Sequence, residues 1–109
     1  MKKNIIVIGG SGFLGSHVSD SLTKSGYKVT IYDNKKSKWI NKNQDFVLGD
    51  ILDEEKINYH IKKSNIVFNF AGISDLAQAY YNAIEVTKYN VLGNSIILQS
   101  CVKNNIDKY

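Results

Sequence analysis

The sequence predicts an α/β chain in which parallel strands alternate with helices, half of a doubly wound sheet with strand order 3-2-1-4. Three observations predict it. NIIVI (residues 4–8) is a continuous, β-branched apolar run, the pattern of a strand buried on both faces. It runs directly into GGSGFLGSHV (9–18), whose glycines are spaced for a strand-to-helix turn. A second apolar run, KVTIYD (28–33), follows one helix later and ends on an acid.

The elements follow in order. FLGSHVSDSLTKSG (13–26) reads as a helix with Phe13, Leu14, Val18 and Leu22 at helical spacing. Gly26, just after Lys24, supplies its stop. KVTIYD is the second strand. A lysine-rich polar stretch (34–44) leads to a short third strand, DFVLGD (45–50). Asp53 then caps a helix whose first turn carries Glu54 and Glu55, favourable at the positive end of the dipole. NIVFNFAG (65–72) is a fourth strand with glycine at its exit. A long helix runs from Asn82 to about Asn104, opened by a capping box of Asn82 and Glu85. Right-handed crossovers between these strands make the sheet parallel. The chain reaches NNIDKY (104–109) where a fifth strand would begin, and strand four is expected to carry an unpaired edge.

Composition narrows the function. The 109 residues amount to one small domain, 43% hydrophobic and 22% charged. The start, MKKNIIVIGG, is basic and then apolar like an export signal, but its apolar part is short and enters glycines with a structural use; it reads as the first strand. No apolar run approaches a membrane span. The net charge of +4 comes from 14 lysines and no arginine, densest at Lys35, Lys36, Lys38 and Lys42. A nucleic-acid surface mixes arginine or aromatics with lysine, so no nucleic-acid partner is expected. Cys101, the single cysteine, permits no internal disulfide and suits a reducing cytoplasm.

The glycine loop is the candidate site. A loop between a strand and a helix start offers free backbone N–H groups and the helix dipole to a pyrophosphate. Gly10, Gly12 and Gly15 spell G-x-G-x-x-G, while Gly9, Gly12 and Gly15 spell G-x-x-G-x-x-G. Ser11 adds a hydroxyl. Asp33 lies 18 residues after Gly15, near the position from which a carboxylate accepts both ribose hydroxyls of NAD. That carboxylate repels the 2′-phosphate of NADP, although Lys35 and Lys36 stand close enough to receive one. NAD is the expected cofactor, NADP the alternative.

GGSGFLGSH resembles the fingerprint of the extended short-chain dehydrogenase/reductase family, the NAD-dependent epimerase/dehydratase group, whose register is Gly9, Gly12 and Gly15. In that register the match through Gly10 is an accident of the double glycine. Ile8 stands where the family usually has threonine. Three more stretches match in order after YDN (32–34). LGDILD (48–53) resembles the G-D-[IVL] element, which implies that Asp50 and Ile51 face the adenine. FNFAG (68–72) resembles the H-x-A-[AG] element beside the pyrophosphate and nicotinamide ribose, with Asn69 a departure. YNVLGN (89–94) resembles N-V-x-G-T, with Gly93 allowing close helix packing and Asn94 replacing threonine.

The resemblance implies a Rossmann-type cofactor domain with Gly9, Gly12, Phe13, Leu14, Gly15, Asp33, Asn34, Asp50, Ile51, Phe70, Ala71, Gly72 and Asn90 as its NAD(P)-binding residues. It further implies a sugar-nucleotide substrate and epimerisation, dehydration, decarboxylation or reduction. The family's base is a tyrosine of a Tyr-x-x-x-Lys pair, placed after the fifth strand together with a serine or threonine. Tyr32–Lys36 and Tyr59–Lys63 match that spacing but fall elsewhere, so no catalytic residue is assigned. The chain is therefore expected to be the N-terminal part of a longer enzyme. The rival expectation is a non-catalytic NAD(P)-sensing or assembly module of the same fold.

Single residues have plainer readings. His17 is a half-exposed helix residue and His60 faces solvent, with no metal spacing between them. Cys101 among Ile97, Leu98 and Val102 is a buried thiol rather than a nucleophile. Trp39 either shields adenine or packs locally. Ser74 and Asp75 take a substrate role or a loop and cap role. The 82–104 helix is apolar on more than one face. In the resembled family that helix forms a four-helix bundle with a second subunit, so a homodimer is expected.

Overall fold

The computed structural model describes residues 3–109; the first two residues of the basic start lie outside the described residues. Four parallel strands form one sheet in the order β3-β2-β1-β4. They are β1 (Asn4–Ile8), β2 (Lys28–Asp33), β3 (Gln44–Leu48) and β4 (Ile66–Asn69). β1 lies in the centre, with Ile5 opposite Val29 on one side and Ile66 on the other. Its pleat explains the unbroken apolar run. Ile6 and Ile8 enter one core and Ile5 and Val7 the other, all at most 1% exposed. Burying each such side chain contributes about 2 kcal/mol.

Helix α1 (Phe13–Lys24) connects β1 to β2 and covers the face of Ile5, Val7, Val29 and Ile31. It ends as expected. The Gly26 N–H donates to Thr23 O, Tyr27 N–H to Leu22 O, and Gly26 takes φ +92°. The docking stripe differs from the expected one. The buried residues of α1 are Gly15 and Ser19, whereas Phe13 is 80% and Leu14 62% exposed. Small side chains let the helix axis approach the sheet, and the fully buried Ser19 hydroxyl donates to Gly15 O at 2.7 Å. Gln44 ties β3 to this helix through Asp20 and the Thr23 hydroxyl, at 3.1 and 3.0 Å.

The opposite face is covered by α2 (Glu54–Lys62) and α5 (Asn94–Lys103), which contribute Ile57, Ile61, Ile96, Ile97 and Cys101. Asp53 caps α2 as expected, its carboxylate accepting from Lys56 N–H. The helix expected over 82–104 forms as one continuous helical run over 83–103, whose middle, 88–93, is π-helical. A short helix α3 (Leu76–Tyr81) opens on Asp75, whose carboxylate accepts from the Ala77 and Gln78 N–H groups; Asp75 is a cap. Asn82 adopts φ −146°, ψ 56°, outside the helical region, and separates α3 from α4 (Ala83–Thr87). Its side chain makes no cap bond, so the expected Asn82–Glu85 capping box does not form. A π-helical segment, Lys88–Gly93, then leads into α5.

The far edge of β4 is not left bare along its length. Asp107 N–H donates to Asn65 O and Val67 N–H to Lys108 O, and Lys108 pairs in parallel with Ile66. No helix among the described residues is long and apolar enough to cross a membrane.

Candidate functional site

The carboxyl ends of all four strands open into one cleft, the position at which doubly wound sheets bind ligands. Its walls include Gly9, Ser11 and Gly12 after β1, and Tyr32, Asp33, Asn34 and Lys35 at the end of β2. Gly49, Asp50 and Ile51 follow β3; Phe70, Ala71, Gly72 and Ile73 follow β4; Tyr89 reaches in from the π-helical segment. The cleft thus brings together nine of the thirteen residues expected from sequence. Gly15, Phe13, Leu14 and Asn90 stand around it.

The loop glycines have separate steric causes. Gly9 takes φ +77°, and a Cβ there would stand 2.6 Å from Ala71 N and from the Phe70 carbonyl carbon. Gly15 lies so close under the loop that a Cβ would meet Gly9 O and Gly10 Cα. Gly12 is different: its φ is −77° and ψ −179°, ordinary extended backbone, and a Cβ would meet nothing nearer than Gly9 O at 3.4 Å. Its missing side chain leaves open space on the cleft wall. Gly10 lies outside the Gly9–Gly12–Gly15 register, but its position has a steric need of its own. A Cβ there would stand 2.9 Å from Val7 O and 2.7 Å from Ile31 Cγ2.

Gly12 is the N-cap of α1, so no side chain occupies the helix start, and no acid lies in the first turn. By contrast, the starts of α2 and α3 are closed by the Asp53 and Asp75 carboxylates. The first N–H groups of α1, at Phe13 and Leu14, are left for an anion, while the Phe13 and Leu14 side chains point to solvent. These two residues therefore offer the cleft backbone, not side chain.

Asp33 stands opposite. Its carboxylate accepts from Ser11 N–H at 3.0 Å and Lys35 N–H at 3.1 Å, which fixes it on the loop's rim. Ser37 N–H donates to the Ser11 hydroxyl. Lys35 lines the cleft, but Lys36 lies over the Phe46 ring, 5.7 Å from its centroid. Trp39 is 68% exposed, lies outside the cleft and carries the Lys38 ammonium 4.8 Å from its ring centroid.

The β3 exit is built on Tyr32, which the sequence singled out only as the first of two misplaced Tyr-x-x-x-Lys matches. Its ring is fully buried and its hydroxyl donates to Asp50 O at 2.8 Å. Gly49 makes room for that ring, since a Cβ would stand 2.4 Å from the Tyr32 hydroxyl. Burial, then the charges of Asp53 and Asp50, push the Tyr32 phenol up to about 12. That is the wrong direction for a general base. The second Tyr-x-x-x-Lys match does form a pair: Lys63 donates to the Tyr59 hydroxyl at 2.7 Å, which holds that phenol below its ordinary value. The pair lies exposed on α2, outside the cleft.

Asn90 clasps Ile73 at both ends, its Oδ1 accepting from Ile73 N–H at 2.7 Å and its Nδ2 donating to Ile73 O at 2.8 Å. It shapes the β4 exit from behind. Gly93 packs against Ile51, as expected of a close-packing glycine: a Cβ would stand 2.3 Å from Ile51 Cδ1. The two departures noted at Asn69 and Asn94 turn out to be one contact. Asn69 Nδ2 donates to Asn94 Oδ1 at 3.1 Å, while Asn69 Oδ1 accepts from Ala71 N–H at 3.0 Å. His60, expected to face solvent, is half-buried 6.0 Å from the Tyr32 ring; burial, then Lys63 and Lys56, lower its imidazole below the ordinary value. His17 is exposed and packs its ring edge on Phe13. Among the described residues no group of acids, histidines and cysteine is placed to hold a metal ion.

The residues fit an adenine dinucleotide in kind: an open glycine cradle at an uncapped helix start, a fixed carboxylate on the rim, and an apolar wall at Ile51. Relatives point the same way. UDP-N-acetyl-alpha-D-glucosaminuronate decarboxylase of Bacillus cytotoxicus is 34% identical over 109 residues, covering 94% of this chain and 34% of that protein. UDP-glucose 4-epimerase of Neisseria meningitidis is 32% identical over 113 residues, covering 93% and 33%. Among solved structures, UDP-glucose 4-epimerase of Brucella ovis in complex with NAD superposes with a TM-score of 0.88 at 29% identity, covering 95% of this chain and 33% of that one. The Thermotoga maritima UDP-glucose 4-epimerase with UDP-glucose gives 0.89 at 32% identity, covering 94% and 35%. The chain thus spans about a third of the length of these relatives. The model of the NAD dependent epimerase/dehydratase family matches residues 5–109, and with the sheet order and the glycine register in agreement, the chain belongs to that family.

Proposed function

We propose that this chain is the NAD-binding portion of a nucleotide-sugar epimerase, dehydratase or reductase. The observation that carries the reading is the cradle at Gly12: open, extended backbone at an uncapped, acid-free helix start, facing Asp33 across the loop. Gly12 with the Phe13 and Leu14 N–H groups would receive the pyrophosphate, and Asp33 with Asn34 the adenosine ribose. Asp50 and Ile51 would stand at the base, and Phe70, Ala71 and Gly72 at the nicotinamide side. When bound, NAD supplies a hydride acceptor. This chain's residues hold it and exclude water; the cleft-lining tyrosines, Tyr32 and Tyr89, are engaged with Asp50. NAD is preferred to NADP because the Asp33 carboxylate meets ribose hydroxyls well and a 2′-phosphate badly. A cytoplasmic location accords with the free, buried Cys101.

A second copy of the chain is the proposed occupant of the outer face of α4, the π segment and α5, where Ile84 is 75%, Val91 61% and Val102 79% exposed. A non-catalytic NAD-sensing module is the second reading. It is favoured by one fact: the hydrogen-bonded Tyr59–Lys63 pair sits away from the cleft.

Calorimetric titration of the chain with NAD and NADP tests the cofactor reading. NAD binding that Asp33→Ala abolishes is the expected result. A folded chain that binds neither dinucleotide overturns it.

A further inference from the structure

Three residues of the π-helical segment reach three parts of the cleft wall. Tyr89 donates its hydroxyl to Asp50 Oδ2 at 3.2 Å, Asn90 clasps Ile73, and Gly93 admits Ile51. π-Helical turns concentrate at functional sites. Asp50 is held from three sides: its Oδ1 accepts from Leu52 N–H at 2.9 Å, its backbone carbonyl from Tyr32, and its Oδ2 from Tyr89. Each carboxylate oxygen keeps a lone pair, so the group still offers an acceptor to the cleft it lines. A carboxylate accepts only. Beside the apolar wall of Ile51, it selects a base that presents an exocyclic amino group.

We infer that Tyr89 is a specificity-determining positioning residue, which aims the Asp50 carboxylate at the amino group of the bound base. The inference rests on the nucleotide reading above. Tyr89 touches Asp50 with its hydroxyl alone among its polar atoms, so its loss frees Oδ2 while the Leu52 bond still holds Oδ1. The carboxylate then turns, and the contact to the base amino group weakens.

The experiment titrates the chain with NAD and with nicotinamide hypoxanthine dinucleotide, in which the 6-amino group is replaced by a carbonyl oxygen. The wild type is expected to favour NAD. Tyr89→Phe keeps the ring on the wall and should narrow that preference by about fivefold, the scale of one ordinary hydrogen bond, because the contact to the base is weakened indirectly. Asp50→Asn presents an N–H and should shift the preference toward the oxo base. A ratio unmoved by Tyr89→Phe overturns the inference, including the case where both affinities fall equally, which marks a merely structural role. A wild type that does not discriminate overturns it too. A folded wild type that binds neither dinucleotide overturns the nucleotide reading, and the inference with it.

Discussion

Replacing each fingerprint glycine by alanine separates folding from binding. Gly9→Ala places a side chain at φ +77°, a left-handed conformation that costs an L residue about 1–2 kcal/mol. The new methyl also stands 2.6 Å from backbone atoms of Phe70 and Ala71, and such overpacking costs about 1–3 kcal/mol more. The sum, about 2–5 kcal/mol, is a large share of the roughly 5–15 kcal/mol that holds a domain together. Gly15→Ala belongs in the same class, because its methyl would overlap Gly9 O. Gly12→Ala does not. Its backbone is extended and its Cβ has room, and the roughly 0.4–1 kcal/mol gained from a less flexible unfolded chain offsets the poorer N-cap that alanine makes. Urea unfolding followed by circular dichroism should therefore drop the Gly9→Ala midpoint by about 1–3 M and leave Gly12→Ala nearly unchanged. The methyl of Gly12→Ala fills the cradle, so NAD affinity by calorimetry should fall by about tenfold or more, near 1.4 kcal/mol. The reasoning is refuted if Gly12→Ala unfolds as easily as Gly9→Ala, or binds NAD as the wild type does.

Two further outcomes follow from buried titratable groups. His60 has a folded pKa lowered below 6.5, chiefly by burial, so the unfolded chain takes up a proton first. Stability is unaffected above that range and declines as pH falls through about 6.5; His60→Asn should flatten this dependence in a melting-temperature profile, and an unchanged acid slope would count against burial as its cause. Cys101 is buried and its thiol is raised above its ordinary value by desolvation. Alkylation by iodoacetamide should track global unfolding, accelerating in step with the urea transition; rapid labelling of the native chain would contradict its placement in the core.

What the site needs from the sheet follows from one alternation. β1 sends Ile6 and Ile8 to the α2–α5 face and Ile5 and Val7 to the α1 face. That locks the glycine loop at the centre of the sheet, flanked by β2 and β4. Asp33 and Ala71 then reach the loop from either side because their strands share its register, Ile8 lying opposite Tyr32 and Asn69.

The amino-acid sequence by itself determined the strands, their order, the Gly26 stop and the Asp53 cap, while the Gly9–Gly12–Gly15 register came from the family resemblance. Each of the former rests on a local pattern: a doubly buried apolar run, a carboxylate before a helix, or a glycine needed by the turn it sits in. Tertiary structure decided what local pattern cannot encode. Gly15 and Ser19, not Phe13 and Leu14, face the sheet, because close approach of a helix is set by small side chains that carry no hydrophobic signal. The helix after Asn82 runs unbroken, but its middle winds as a π-helix, which no apolar periodicity announces. Its π-helical segment holds contacts to Asp50, Ile51 and Ile73, residues tens of positions away along the chain. Tyr89 and the Asn69–Asn94 contact became visible only there, because a hydrogen bond between distant side chains leaves no periodicity in either segment.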